Sequence, residues 1–389
     1  MRHHHEMADW DRSLCRGAEV ALWDSFCAGA VVTPGSAAID QAAQVRGELI
    51  AALLRNERLV GAVDRPAVRL RSVRVVGDID LSDATLVGVL DLRACGISGD
   101  LILNDANARA IRLSDCRLND VQAVGLRLTG SFDLSRSQLE RIVLRRAVID
   151  GDLVMDGCQV TGSAAAVDVS DATVANILCR PTPNHEGTDQ RFRLGGPLLL
   201  YGTVCHGRIA MDAAVIANGG GDAIDARNLR VTADVAWRGH ITTSGDVDAF
   251  STVGAIRLTG AHIGGVLDMA GAQLNNREGL AIVGSTVVID GRLFLRPMRH
   301  LDGELVRHFD GTLAGPSHCY GRIRLNDARI GGIDFDGTTI IHDSPDDAVE
   351  ADRIEVAHDM RCGGLLNPNR TPAVNPVDAT PAPRPRSRS

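Results

Sequence analysis

Lysine is missing from this chain: all 41 basic residues among the 389 are Arg. That excludes lysine Schiff-base chemistry. Aromatic residues make up only 3%, so any core is aliphatic. No run of 18 apolar residues occurs, so no membrane-spanning helix is expected. The opening "MRHHHEMADWDRS" lacks the apolar stretch of a signal peptide. The nine Cys are scattered without a CxxC pair, the usage expected of reduced thiols in a cytoplasmic protein. No GxGxxG lies between a strand and a helix, and no haem or iron–sulfur spacing is present. A net charge of −8 gives no general basic field, so direct binding of nucleic acid is not expected.

What is present is a repeat. Apolar residues come in pairs two apart, and the pairs recur every five or six residues: Ile79/Leu81, Ala84/Leu86, Leu90/Leu92, Cys95/Ile97, and onward to Cys158/Val160. Residues two apart share one side of an extended strand. Steps of five or six mean a corner after each short strand. Four sides close a coil of about 21 residues, and stacked coils sit about 4.8 Å apart. The predicted fold is an all-β solenoid, a parallel β-helix with four flat faces. Pairs led by a large residue alternate with pairs led by Ala, Cys, Ser or Thr, which tiles a narrow interior.

One column tests the period: Cys95, Cys116, Ser137 and Cys158 should stack as small core fillers rather than form a metal or redox ladder. An outward column, Asp91, Arg112, Asp133, should pair opposite charges between coils. Twenty-two units at two per coil predict eleven coils, about 50 Å in length.

Residues 1–66 read as an N-terminal helical cap, with helices over 18–29 and 41–54. Trp10, Trp23 and Phe26 are expected to pack it on the first coil, since an open end is an unpaired strand edge. The repeat occupies 67–366. Residues 367–389 hold six of the 14 prolines and read as a disordered tail. No cap is evident near "MRCGGLLNPN", which favours a homodimer through the C-terminal coil.

Extra residues interrupt the repeat beyond 160, always after even-numbered units. That pattern predicts that every insert leaves one corner. The long ones, roughly 179–197, 241–254 and 298–320, collect the candidate site residues: His185 in the first, Asp246 and Asp248 in the second, His300, His308, Asp310 and His318 in the third. If the loops fold together, imidazoles and carboxylates converge as general acid–base or divalent-metal chemistry requires. No spacing here is diagnostic, and ordinary solvated loops are the competing expectation.

"LSDATL" and "LNDARI" resemble the unit of pentapeptide-repeat proteins, which form right-handed quadrilateral β-helices. More of the chain, including "AEVALWDSF", "PAVRLRSVRVVGDIDLSDA" and "GRIRLNDARIGGIDFDG", resembles an actinobacterial repeat family whose members are often labelled membrane-associated oxidoreductase. The resemblance implies a right-handed quadrilateral solenoid. The label brings no catalytic motif that maps onto these residues. Some pentapeptide-repeat proteins mimic DNA towards topoisomerases, but residues 69–146 carry 12 Arg against 10 acidic residues, the wrong sign for a mimic. The leading expectation is a soluble scaffold that engages a protein or peptide partner through its loop-lined edge and needs no cofactor or metal. The alternative is an enzyme with its site beneath the long inserts.

Overall fold

A computed structural model describes residues 12–28, 30–33, 43–55, 66–164, 166–183, 188–308, 310–344 and 346–363. Its strands pair in parallel, apart from short antiparallel hairpins in the inserts, and stack into four ladders. The chain is a four-sided parallel β-helix. The first face begins with Ala67–Arg71 and Val89–Arg93. The second contains Arg74–Val76 and Gly96–Ile97. The third contains Ile79–Asp80 and Leu101–Ile102. The fourth contains Asn107–Ala108 and Arg127–Leu128. On the third face Ile79, Leu101, Val121, Ile142, Val167, Leu198, Ile224, Ile256, Ile282, Ile323 and Val349 lie in one register. That is eleven coils, as the unit count requires.

The corners explain the short step. A residue with positive φ turns the chain from the first face to the second at Ser72, Ala94, Asp115, Arg136, Gly157, Ala213, Gly271 and Gly337. Asx turns prepare several corners: the carboxylates of Asp80, Asp133 and Asp168 accept the N–H two residues on. Inward residues are almost wholly buried and form one continuous apolar core.

Cys95, Cys116, Ser137 and Cys158 stack as expected, because Gly96, Arg117, Gln138 and Gln159 beside them pair in sequence. Their chemistry is structural. The Cys95 thiol donates to the Leu70 carbonyl at 3.7 Å, Cys116 to Leu92 at 3.4 Å, and the Ser137 hydroxyl to Leu113 at 2.5 Å. Each bonds back to a carbonyl of the coil below, so a small residue with a donor suits the position better than Ala. Burial pushes the Cys158 thiol up to about 12, far from the thiolate that redox or metal chemistry needs. The Asp91, Arg112, Asp133 column is in register, but its pairing differs from expectation. Asp91 takes Arg93 on its own strand at 2.9 Å, while Asp133 accepts from Ser135. Local partners win because they need no reach across coils.

The cap is a coil that begins as strand and finishes as helix. Val32 pairs with Leu70, and Gln44–Arg46 pairs with Arg74–Val76. Helix α2 (Gly47–Arg55) then takes the place of the third-face strand beneath Ile79–Asp80. It buries Leu49, Ile50, Leu53 and Leu54. Gly47 is required, since a Cβ there would sit 2.1 Å from the Asp78 carbonyl oxygen. The expected helix over 41–54 is thus shorter at its start, because Gln44–Arg46 finds a ladder to join. Helix α1 (Ala18–Ala28) buries Leu22 and Phe26, and Trp23 packs on the same core. Trp10 and the 367–389 tail lie outside the described residues. No helix among the described residues is long and apolar enough to cross a membrane.

Candidate functional site

The inserts do not share one corner. The long ones leave between the first and second faces, after the first-face strands that contain Ile177, Val235 and Leu293. The short ones, near residues 161–166, 218–221, 276–279 and 342–347, leave between the second and third faces. The two kinds alternate coil by coil. Positive-φ corners at Gly157, Ala213, Gly271 and Gly337 mark the coils that turn tightly where their neighbours insert. The expected single edge was wrong because the second-face strands that begin at Arg193, Ser251 and His318 follow the long inserts instead of preceding them. Spacing alone does not say on which side of an insert a strand falls. The alternation carries a double-coil period of 58 residues, seen in Ile177 and Val235, Asn218 and Asn276, and Val235 and Leu293.

The three long inserts form hairpins that lean on one another. The first pairs Thr182–Pro183 with Asp189–Gln190, and the second pairs His240–Ile241 with Val247–Asp248. The third is a tandem: "RHLDGEL" (299–305) and "RHFDGTL" (307–313) repeat at eight residues. In each, the Arg side chain closes onto a tip carbonyl, Arg299 to Gly303 and Arg307 to Gly311, both at 2.8 Å. Met298, Val306 and Ala314 share that eight-residue period. With Ala270, Ile241 and Val247 they make a small apolar core separate from the coil interior. This tandem was missed in the linear reading, although the repeated R-H-x-D-G-x-L was its signal.

Contacts of carboxylates with a guanidinium and two imidazoles tie the inserts together. Arg191 reaches Asp248 at 3.2 Å and donates to the Ala213 and Ala249 carbonyls, at 2.7 and 2.5 Å. Burial holds its guanidinium below the usual range. His240 Nε2 lies 3.6 Å from Asp189, and His308 Nδ1 lies 3.4 Å from Asp246.

The anticipated site residues are therefore partly gathered. Asp246 meets His308, and Asp248 meets Arg191. Asp310 instead caps its own hairpin tip, accepting from the Thr312 hydroxyl and N–H at 2.6 and 2.9 Å, which lowers its pKa. His300 sits exposed at the neighbouring tip. His318 belongs to the outer surface of the second face, its ring 6.0 Å from that of Tyr320. Burial lowers its pKa, and its Nδ1 is buried without a partner among the described residues. His185 lies outside the described residues. Among the described residues no group of three His, Cys, Asp or Glu is placed to hold a metal ion.

A feature not anticipated from sequence lies between the two rows of inserts: the outer surface of the second face. Two outward rows run along it, Val215–Ser251–Gln273–His318–Thr339 and Ala217–Val253–Asn275–Tyr320–Ile341. Neither holds an Arg, Asp or Glu over five rungs, whereas the third face of the same coils presents Asp225, Arg257, Arg324 and Glu350. Charges collect at the margins instead, as in Arg277–Asp343 at 2.9 Å and Arg322–Asp346 at 2.7 Å. A cleft lined by Arg322, Arg324, Asp346, Asp347 and Glu350 closes the C-terminal side. There Arg324 reaches Glu350 at 2.6 Å, so the cleft's charges are spent on one another.

Comparison with protein-family models, with curated proteins and with solved structures finds no match to this chain.

Proposed function

We propose that this protein is a soluble, cytoplasmic binding scaffold whose long inserts present one surface to a protein or peptide partner. The observation that carries the reading is the union of the three inserts into a single body. Arg191–Asp248, His240–Asp189 and His308–Asp246 link them in sequence, over an apolar core of their own. Loops fixed on a rigid scaffold are where recognition is usually placed. Surfaces ordered before binding also lose less entropy on association. At the tip of the third insert Leu301 is fully exposed, an apolar anchor with no role in folding.

The test is capture from an extract of the source cells by the full-length chain and by Leu301→Asp, both checked for folding by thermal melting. The expected result is a stoichiometric protein retained by the native chain and lost from the variant. Absence of any stoichiometric partner, or equal retention by both chains, overturns the reading. Pairing of two copies through the C-terminal coil belongs to the same proposal, and sedimentation of the purified chain checks it.

A second reading, catalysis beneath the inserts, rests on the His308–Asp246 pair, since a carboxylate orients an imidazole that acts as a general base. It predicts an activity that disappears in His308→Ala while the melting temperature is unchanged.

A further inference from the structure

We propose that the outer surface of the second face, between the rows of long and short inserts, is the seat of an extended, uncharged peptide segment of the partner. This rests on the binding reading above and says where the partner sits and what chemistry it offers.

Three observations support it. The first is charge. Five successive rungs present no ionic side chain to solvent on this face, while paired ions line its margin at Arg277–Asp343 and Arg322–Asp346. An uncharged centre with a charged rim is the anatomy of a protein interface. The lowered pKa of His318 keeps the strip neutral at pH 7.

The second is hydrogen-bonding capacity that the fold does not use. Gln273 and Asn275 are exposed and Ser251 and Thr339 half-buried, their side chains bonded to no other described residue and so turned to water, while the Nδ1 of His318 is buried without a partner among the described residues. An amide carries both donors and an acceptor. An extended backbone has free N–H and C=O groups to meet them, whereas a helix has spent its own internally. Val253, which is 41% exposed, and the half-buried Ile341 lie in the same strip. They suit the apolar side chains of a peptide.

The third is shape. The strip is one strand wide and five rungs long, about 19 Å at the spacing of paired strands, which is the length of about six extended residues. Inserts border both long edges, so the bound segment runs along the solenoid axis and not across it.

The experiment is selection of a random heptapeptide phage library on the immobilised full-length chain. The selected peptides are then synthesised with a fluorescent label and titrated by anisotropy. Titrations are repeated with Val253→Asp, Asn275→Ala, Leu301→Asp and, as a control on the outer surface of the fourth face, Arg230→Ala, each first shown to melt like the native protein. The expected result is enrichment of uncharged peptides whose affinity falls at least about tenfold in Val253→Asp, falls about threefold to tenfold in Asn275→Ala, and is unchanged in Arg230→Ala. Peptides that ignore Val253→Asp but are lost in Leu301→Asp overturn the second-face site while leaving the binding scaffold standing. Failure to enrich any peptide also overturns the site, and the capture experiment then decides the scaffold reading separately. A neutral hexasaccharide such as cellohexaose is titrated alongside. Saturable binding that is lost in Asn275→Ala, in place of peptide binding, overturns the peptide assignment.

Discussion

At the residue scale, the small inward position at the first corner shows how much one hydroxyl or thiol does. Ser137 accepts from the Cys116 N–H at 3.0 Å and donates to the Leu113 carbonyl. Ser137→Ala leaves both groups buried without a partner and is expected to cost about 1–3 kcal/mol in urea unfolding. Ser137→Cys keeps size and donor, as Cys116 does one coil below, and should cost under about 1.5 kcal/mol. In the cap, Glu19 is nearly buried. Burial alone would raise its pKa. Hydrogen bonds from Arg46, with its backbone N–H at 3.0 Å and Nε at 2.8 Å, and from the Arg16 N–H outweigh that and lower it. A carboxylate depressed in the folded state contributes stability above its unfolded pKa and loses it as the pH falls through the folded value. Melting of the native chain should therefore drop below about pH 4.3 by more than melting of Glu19→Gln, which has already lost this contribution at pH 7.

At the scale of elements, the inserts are held by a few contacts, and these can be cut singly. Arg191→Ala removes one of the two ties between the first and second inserts and leaves His240–Asp189. It should speed amide exchange across 182–190 and 240–248 while lowering global stability by no more than about 1–3 kcal/mol. Tight corners are less forgiving. Gly254 has φ +116°, and a Cβ there would lie 2.3 Å from the Gly221 carbonyl oxygen. Gly321 has φ +128° with the Asn276 oxygen at 2.5 Å. These two glycines let the second-face strand turn against the short insert of the preceding coil. Gly254→Ala and Gly321→Ala should each destabilise by about 2–4 kcal/mol in urea unfolding. The α2 helix was legible from its apolar spacing, but Gln44–Arg46 was not separable from it, since "QVR" joins a strand only because Arg74–Val76 lies above it.

For the whole molecule, a solenoid holds each coil by its two neighbours, so stability is a sum of local terms and the ends are weakest. Ile142 lies within the stack, and Ile354 lies in the last described coil. Ile142→Ala should lower the urea midpoint by an amount equivalent to about 2–5 kcal/mol. Ile354→Ala should do so by clearly less, because among the described residues that coil is held by one neighbour instead of two. Equal costs would mean that the array unfolds as one block.

The sequence by itself determined the coil. Inward pairs two apart, in steps of five or six, admit only a short strand and a corner repeated, and the stack of Cys95, Cys116, Ser137 and Cys158 follows from that period. It also determined that the long inserts fall on alternate coils. Only the tertiary structure decided which corner each insert leaves, because a strand such as Gln273–Val283 finds its place by pairing with strands tens of residues away. For the same reason, the uncharged strip of the second face could not be read along the chain. Its members, from Val215 to Ile341, become neighbours only when successive coils lie one upon another.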